Sequence, residues 1–290
     1  MHIEVLPVLR NSLMYLLVDE SSNTAAVIDA ADVNKLEKAA RRLDAKIVAV
    51  LSTDNKWDHT RDNEEVKRLF PDAVIYGSRG DNTRAMDKEA KHGQHIKVGN
   101  LDVIVKDAHS FTEGSLIFEV QDPSSGEKAV FTGGTLLCGG AGAINVHAIE
   151  GKIADVPSKK SVPKGMSGTA KDLFRVLNDI LGSLDDDVEV YPGYDSVVEN
   201  LRFAVGVEPE NEDIEMRLAE AKDNQKSKVP NVPSTLGLER KTNPFMRLRE
   251  KTVRQYAQLE GSKHDNPIDV LDSLQAKMLE LGLHPKMQTA

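Results

Sequence analysis

The feature that most constrains this chain is a change in its sequence pattern about two thirds of the way along its 290 residues. Before that point, short apolar runs alternate with helical segments, and the continuous run KIVAVLS at 46–52 predicts a strand that is covered on both faces. After it, the pattern is helical almost throughout. Alternating strands and helices are typical of a layered α/β domain. We therefore predict an α/β domain over residues 1–193 and a helical domain over residues 194–290.

The other elements are predicted from apolar periodicity together with turn and capping residues. Strands are predicted at 3–9, 12–18, 24–28, 73–76, 101–105, 115–120, 129–132 and 188–191. Helices are predicted at 32–43, with Asp32 as the N-cap, and at 197–204, 212–224, 243–259 and 267–281. The stretch at 139–168 is rich in Gly, Ala, Ser, Lys and Pro and has little periodicity, which indicates a long loop or an insertion.

The composition argues against several classes of protein. The formal net charge of −9 is unfavourable for a general nucleic-acid binder, because such a protein needs a basic face to displace counterions from phosphates. No apolar run approaches about eighteen residues, so no membrane span is predicted. The single cysteine, Cys138, excludes an internal disulfide and a cysteine-based zinc site, and it suits a reducing compartment. We predict a cytoplasmic protein that binds neither nucleic acid nor membrane.

One loop carries the main functional signal. The strand at 46–52 leads into the polar segment LSTDNKWDH, which ends at His59 and is followed by the helical stretch TRDNEEV. This frame resembles the metal-binding loop of the metallo-β-lactamase superfamily, and the surrounding sequence is similar to that of the glyoxalase II, or hydroxyacylglutathione hydrolase, family. The resemblance implies an αββα sandwich followed by a C-terminal helical domain. It also implies two zinc or iron ions whose bridging hydroxide attacks a thioester carbonyl.

Most of the metal ligands that the resemblance implies are replaced in this chain. The family loop reads T-H-x-H-x-D-H, and two of its three histidines are missing here. Lys56 stands at one of those two positions, and an ammonium group has no lone pair to offer a metal. Three further ligand positions, in the segments FTEGS, FTGGTL and PGYDS, hold Phe111, Gly134 and Tyr194. Of the seven implied ligand positions, only Asp58 and His59 match.

The residues that would contact glutathione are changed as well. By the resemblance, Lys164 keeps the lysine of a substrate-binding stretch, whereas Gln275 and Met278 replace basic residues that grip the glutathione carboxylates. The stretch at about 143–162 has no counterpart in the family pattern. Scaffold motifs are kept more closely, at residues 199–204, 207–211, 232–236 and 243–252. The pattern predicts a family member with a degraded metal and substrate site.

Three residues of the loop have two interpretations each. Asp58 is either a surviving metal ligand or the N-cap of the helix that starts near His59. Lys56 is either a counter-ion to Asp54 and Asp58, in place of the metal, or part of a solvated loop. His59 is a hydrogen-bonded structural residue in one interpretation, and a general base or single-metal ligand in the other.

Outside the loop, the histidine and cysteine positions predict no metal site. Phe111 and Tyr194 are expected to fill the vacated cavity, because large voids are destabilising. His109 lies two residues before Phe111, about 6–7 Å along an extended chain, which is too far for a metal bond. Cys138 is predicted to be a buried, inert thiol. Three other histidines are interpreted without a metal: His147 has no partner at ligand spacing, and His92 and His95 are surface residues of a helical-looking stretch.

Two functions are compatible with these residues. The first is a catalytically inactive glyoxalase II-like protein with a binding or scaffolding role, whose partner is a protein or a small-molecule ligand in the former cleft. No cofactor is expected in that case. The alternative is a residual or altered thioester hydrolase, in which Asp58 and His59 hold one weakly bound zinc or iron ion, or in which His59 acts as a base without metal. Two protein ligands are fewer than the three that are usual for catalytic zinc.

Overall fold

A computed structural model describes residues 1–145, 168–262 and 266–283. Two six-stranded sheets form the centre of this part of the chain. The first contains, in spatial order, β1 (His2–Val8), β2 (Ser12–Asp19), β3 (Thr24–Ile28), β4 (Lys46–Leu51), β5 (Val74–Gly77) and β6 (Lys88–Glu89). The second contains β14 (Ser234–Thr235), β13 (Glu189–Pro192), β10 (Lys128–Gly133), β9 (Leu116–Gln121), β8 (Leu101–Asp107) and β7 (His95–Val98). A short hairpin follows β10 and consists of β11 (Leu136–Leu137) and β12 (Gly140–Ala141).

The helices flank these sheets and occupy most of the last third of the chain. Those described are α1 (Val33–Arg42), α2 (Trp57–Thr60), α3 (Asn63–Leu69), α4 (Ala170–Phe174), α5 (Val197–Val207), α6 (Glu212–Ser227), α7 (Leu236–Thr242), α8 (Lys251–Leu259) and α9 (Pro267–Leu281). The predicted N-cap of α1 is confirmed, since the Asp32 carboxylate accepts a hydrogen bond from the Lys35 backbone N–H at 3.0 Å. Sequence analysis therefore located most of the elements correctly.

The two sheets pack face to face. Strand β2 is buried along its whole length, and its alternate residues Leu13, Tyr15 and Leu17 point into a core that also contains Phe118 and Phe131 of the second sheet. The other face of β2 packs on α1 and α3, which cover the outside of the first sheet. Side chains alternate between the two faces of a strand, so a strand covered on both sides has an unbroken apolar sequence.

Helices of the C-terminal third cover the outer face of the second sheet. One hydrophobic cluster joins Val130 and Val190 of that sheet to Phe245, Leu271 and Leu274 of the helices. The layer order is thus helix, sheet, sheet, helix, which confirms the predicted αββα sandwich and the helical C-terminal region. Because this cluster contains residues from both sides of position 194, the division into domains 1–193 and 194–290 remains a prediction.

A buried polar network fastens the helical region to the β11–β12 hairpin. Glu239 on α7 is fully buried, and its carboxylate pairs with the guanidinium of Arg217 on α6. The same carboxylate accepts hydrogen bonds from the Gly139 backbone N–H and from the Asn243 side chain, both at 2.8 Å. Asn243 also donates to the Gly140 carbonyl at 2.9 Å. We call Arg217, Glu239, Asn243 and their partners at Gly139 and Gly140 the Glu239 network.

Two predicted helices are wrong in part. The predicted helix at 243–259 is divided into a 3₁₀ turn at Pro244–Met246 and helix α8, because Arg247 leaves the helical conformation and pairs with Glu208 at 2.7 Å. The helical-looking stretch around His92 and His95 instead forms β6, a turn and β7. In β7, the buried Ile96 and Val98 alternate with exposed side chains, and this period of two is the signal for a strand.

Much of the predicted insertion at 139–168 lies outside the described residues. Residues 139–145 are described and are largely buried, with Gly140–Ala141 paired to Leu136–Leu137. Residues 146–167, and with them His147 and Lys164, lie outside the described part. Among the described helices, none is both long enough and apolar enough to cross a membrane.

Candidate functional site

The candidate site lies where β3 and β4 of the first sheet end. Parallel pairing of β3 with β4 brings their carboxyl ends to the same edge, so Asp29 and the loop that begins at Thr53 are neighbours. The loop and the single turn of α2 carry Asp54, Asp58 and His59, whose side chains are at most 1% exposed. A buried cluster of three carboxylates and one imidazole results, and the charges of such a cluster must be balanced internally.

His59 supplies positive charge to this cluster. Its Nδ1 lies 3.1 Å from Asp54 Oδ2 and 3.5 Å from Asp29 Oδ2. Burial lowers the pKa of His59, but the carboxylates of Asp54 and Asp29 outweigh burial and raise that pKa to about 10. The imidazole is therefore protonated at neutral pH. His59 Nε2 is buried and has no hydrogen-bond partner among the described residues.

Asp29 was not identified by sequence analysis. The backbone N–H and the hydroxyl of Thr53 both donate to its carboxylate at 2.8 Å. Burial and the neighbouring Asp54 raise the pKa of Asp29 to about 7, against the opposing effect of His59. Its position directly after β3, at the same sheet edge as the loop, was the available signal.

Asp58 does not cap the helix, so that interpretation is wrong. Lys56 is the N-cap residue of α2, and no side chain caps the turn there. The Asp58 carboxylate accepts a hydrogen bond from the Ser12 hydroxyl at 3.2 Å and one from the Tyr194 hydroxyl at 3.5 Å. Because Ser12 and Tyr194 approach from other elements, the carboxylate points away from its own helix and joins the loop to β2 and to the turn after β13.

Lys56 lies at the edge of the same cluster. Its backbone N–H donates to Asp54 Oδ1 at 2.8 Å, and its ammonium nitrogen is 5.6 Å from the centroid of the Phe111 ring. Burial raises the pKa of Asp54, but His59 and, to a smaller extent, Lys56 lower it below its ordinary value. For the Asp54 carboxylate, His59 is thus the stronger counter-charge and Lys56 the weaker one.

Two aromatic rings occupy the remainder of the pocket. Phe111, in the loop between β8 and β9, and Tyr194, after β13, are 1% and 0% exposed, and they pack with Leu137 and Ala143. The Tyr194 ring centroid is 4.8 Å from that of His59 and 6.3 Å from that of Phe111. Burial raises the pKa of the Tyr194 hydroxyl well above its ordinary range, which keeps that group neutral.

The donor set of this cluster does not fit a pair of zinc or iron ions. Metal ligands need a lone pair, and the side chain of Phe111, the hydrogen atom of Gly134 and a protonated Lys56 have none. The neutral hydroxyl of Tyr194 donates to Asp58 rather than facing a cation. Over the described ranges, no group of three or more His, Cys, Asp or Glu side chains is arranged to hold a metal ion.

The positions implied for glutathione binding face the interior. Gln275 on α9 is fully buried, and its side-chain amide donates to the Gly142 carbonyl at 2.9 Å. Met278, one turn further along α9, is also fully buried and belongs to the hydrophobic cluster under the second sheet. Five surface pockets of about 230–630 Å³ lie elsewhere on the described surface, and none of the five is lined by Asp54, His59, Phe111 or Tyr194.

The other singled-out residues lie away from the cluster. His95 is exposed and pairs with Asp102 at 2.7 Å, and His92 is also exposed, as predicted for both. His109 Nδ1 lies 2.9 Å from the Glu113 carbonyl oxygen rather than in the pocket. Cys138 is fully buried, and burial raises the pKa of its thiol, which agrees with an inert cysteine.

Comparison with known proteins relates this chain to the hydroxyacylglutathione hydrolases. The family model of the hydroxyacylglutathione hydrolase C-terminus matches residues 195–277. The cytoplasmic hydroxyacylglutathione hydrolase of Arabidopsis thaliana is 32% identical over 272 residues, which is 93% of this chain and 95% of that protein. A hydroxyacylglutathione hydrolase-like protein of Gallus gallus is 32% identical over 278 residues, which is 96% of this chain and 89% of that protein.

Solved structures show the fold. ETHE1 from Myxococcus xanthus superposes with a TM-score of 0.62 at 19% identity, covering 97% of this chain and all of that one. A metallo-β-lactamase from Staphylococcus aureus superposes with a TM-score of 0.61 at 18% identity, covering 99% of this chain and 75% of that one. Together with the near-complete coverage of the Arabidopsis relative, these similarities show that the chain belongs to the hydroxyacylglutathione hydrolase family and has the metallo-β-lactamase fold.

Proposed function

We propose that this chain is a catalytically inactive member of its family that serves as a binding or scaffolding protein. One observation carries the proposal: Phe111 and Tyr194, at two implied ligand positions, are buried and pack against each other, and Tyr194 also packs against His59. A metal-dependent hydrolase needs several donor side chains and an open coordination position for its attacking hydroxide. Aromatic rings occupy the space in which those donors would lie.

Metal-free hydrolysis by His59 is the second candidate, and its unpartnered Nε2 is the feature that favours it. A general base needs a free lone pair and a pKa near the working pH. The pKa of His59 is about 10, so the ring is protonated at neutral pH, and the side chain is fully buried. Both properties oppose a role as base, and we therefore favour the inactive protein.

The partner that we propose is a protein, or a small molecule that binds at the former cleft. The changes at Gln275 and Met278 support a ligand other than glutathione, since both side chains are committed to the interior. The buried Cys138 and the cytoplasmic relative from Arabidopsis support a cytoplasmic location. A net charge of −9 supports a partner other than nucleic acid.

Turnover of S-lactoylglutathione by the purified full chain tests this proposal. We expect no hydrolysis above the buffer rate, with or without added zinc or iron(II), under conditions in which the Arabidopsis relative is assayed in parallel. Metal-dependent turnover would contradict the proposal. Metal-independent turnover that His59→Ala abolishes would establish the second candidate instead.

A thermal-shift measurement tests whether glutathione compounds are still ligands of this chain. A ligand that binds only the folded chain raises its melting temperature, by an amount that grows with ligand concentration over Kd. We expect glutathione and S-lactoylglutathione to give no shift at millimolar concentration. A concentration-dependent shift with either compound would show that the glutathione site persists.

A further inference from the structure

The residues at the former ligand positions contact one another, and all of them except the half-buried Lys56 are buried. The Lys56 ammonium lies over the Phe111 ring, the Phe111 ring meets the Tyr194 ring edge to face, and Tyr194 lies against His59. A pocket that had only lost its ligands would contain voids or water, whereas this one is packed. We therefore expect the residue at one of these positions to limit which side chains the others can hold.

The Phe111 ring lies in a slot between two glycines. A Cβ atom built on Gly134, which follows β10, would lie 2.3 Å from Cε1 and 2.4 Å from Cδ1 of the ring. A Cβ atom built on Gly142, which follows β12, would lie 2.8 Å from Cδ2 of the same ring. Ordinary carbon contacts are about 3.5–4.0 Å, so the ring occupies the space of a side chain at position 134.

The ring has no room to move aside. Phe111 is 1% exposed, and Tyr194, Leu137 and Ala143 surround it together with the two glycines. The backbone at Gly134 is not in the left-handed region, so a Cβ there is opposed by the ring alone and not by backbone strain. In a close-packed interior, an overlap of this size displaces side chains or the backbone.

We infer that the Phe111 ring excludes every side chain at position 134, so position 134 cannot regain a metal ligand unless Phe111 is replaced as well. Position 134 is where the resemblance places the carboxylate that bridges the two metals. While Phe111 is present, the pocket therefore cannot hold a dinuclear metal centre. This inference goes beyond the proposed function, because it rests on contacts alone and holds whatever the chain binds.

A double-mutant cycle in thermal unfolding of the full chain tests this exclusion. We expect Gly134→Ala to lower the melting temperature by roughly 5 °C or more. Phe111→Ala lowers it as well, because it leaves a cavity. In the Phe111→Ala background, we expect Gly134→Ala to have no further effect or to raise the melting temperature, since the new methyl group then enters the vacated space.

Two control glycines make the cycle specific. A Cβ atom built on Gly206 of α5 would have no other atom within 4 Å, so Gly206→Ala should leave the melting temperature unchanged or raise it. A Cβ on Gly142 would lie 1.8 Å from the Gly134 carbonyl oxygen, which belongs to the backbone. Gly142→Ala should therefore be destabilising, and Phe111→Ala should not rescue it.

Each outcome of the cycle decides the inference. Additive losses from Gly134→Ala and Phe111→Ala, or a Gly134→Ala variant as stable as Gly206→Ala, would overturn it. If Gly134→Ala does not fold alone, recovery of folding in the Phe111→Ala or Phe111→Leu background supports the inference, and failure in both backgrounds contradicts it. Since the readout is stability, the result is independent of any thioester turnover.

Discussion

The pocket around His59, Phe111 and Tyr194 and the Glu239 network are two buried sites of one chain that differ in their chemistry. In the network, Arg217 and Glu239 are paired charges, and Asn243 and the Gly139 N–H complete the hydrogen bonds of the carboxylate. In the pocket, Phe111 and Tyr194 fill space that the family resemblance assigns to ligands. The first site keeps its polar groups under full burial, whereas the second holds aromatic rings at two of the implied ligand positions, 111 and 194.

The two sites show how buried charge is compensated in this chain. A buried charge is stable when a partner and hydrogen bonds compensate it, and removal of one partner leaves a large penalty. Within the Glu239 network, protein groups supply all the partners named above. In the pocket, Asp29 and Asp54 keep a partner because His59 is protonated. Aromatic packing at the other positions avoids further uncompensated charge.

The largest effect is expected from Glu239→Ala, which removes the central carboxylate of the Glu239 network. The substitution leaves the Arg217 guanidinium, 9% exposed, without its carboxylate partner. We expect a loss of about 3–5 kcal/mol in the free energy of unfolding, measured by urea denaturation. Asp223→Ala is the matched control, because it removes the exposed ion pair with Lys226 and should leave the urea midpoint unchanged. Equal losses in the two variants would contradict the role assigned to the network.

Phe111→His, which restores the histidine implied by the family resemblance, is expected to destabilise the pocket. Phe111→His replaces a buried phenyl ring by a smaller, polar ring, and we expect a loss of roughly 2–4 kcal/mol in the free energy of unfolding. Phe111→Leu, which stays apolar, should lose less. We also expect that added zinc does not raise the urea midpoint of Phe111→His. A midpoint that zinc raises above that of the wild type would show that one substitution reopens the metal site.

Much of the fold could be predicted from the sequence, because local signals were strong there. Strand β3 and helix α9 have the predicted residues. A turn sequence precedes β3, and Asn266 and Pro267 mark the start of α9. The short strand β7 was missed, because its period of two extends over only four residues and the flanking charges are typical of a helix.

The site was predicted less completely, because its contacts are long-range. The filling of the pocket by Phe111 and Tyr194 followed from the volume of their rings. The pairing of His59 with Asp29 depends on which strands are parallel neighbours, and the fit of Phe111 against Gly134 and Gly142 depends on three separate loops. No local pattern contains that information.

The charge balance of the pocket predicts a pH dependence. The pKa of His59 is about 10 in the folded chain and about 6.5 when unfolded, so its stabilising effect is fully present below pH 6.5 and is lost as pH rises through 10. The pKa of Asp29 is also raised, to about 7, so its contribution to stability likewise falls as pH rises, but between about pH 4 and 7. Between pH 7.5 and 10, the free energy of unfolding should fall by at most about 1.4 kcal/mol per pH unit through His59.

His59→Gln identifies the source of that slope. Glutamine does not titrate, so the urea stability of this variant should fall less steeply than that of the wild type between pH 7.5 and 10. Parallel pH profiles of the two proteins would show that His59 is not the charged partner of Asp54 and Asp29.

The smallest effect is expected from the hydrogen bonds to Asp58. Tyr194→Phe removes a donor at 3.5 Å and keeps the ring, so the loss in unfolding free energy should be about 1 kcal/mol or less. Ser12→Ala removes the donor at 3.2 Å and should be the more destabilising of the two. A larger loss for Tyr194→Phe would mean that the tyrosine is retained for its hydroxyl rather than for its bulk.

The metal content of the purified full chain decides whether its pocket holds a dinuclear centre. The protein would be produced in medium supplemented with zinc and iron, purified without chelator, and analysed by plasma mass spectrometry beside a family relative treated in the same way. Because Lys56, Phe111, Gly134 and Tyr194 stand where ligands are implied, we predict far less than one zinc or iron ion per chain. Close to two tightly held ions per chain would contradict the account.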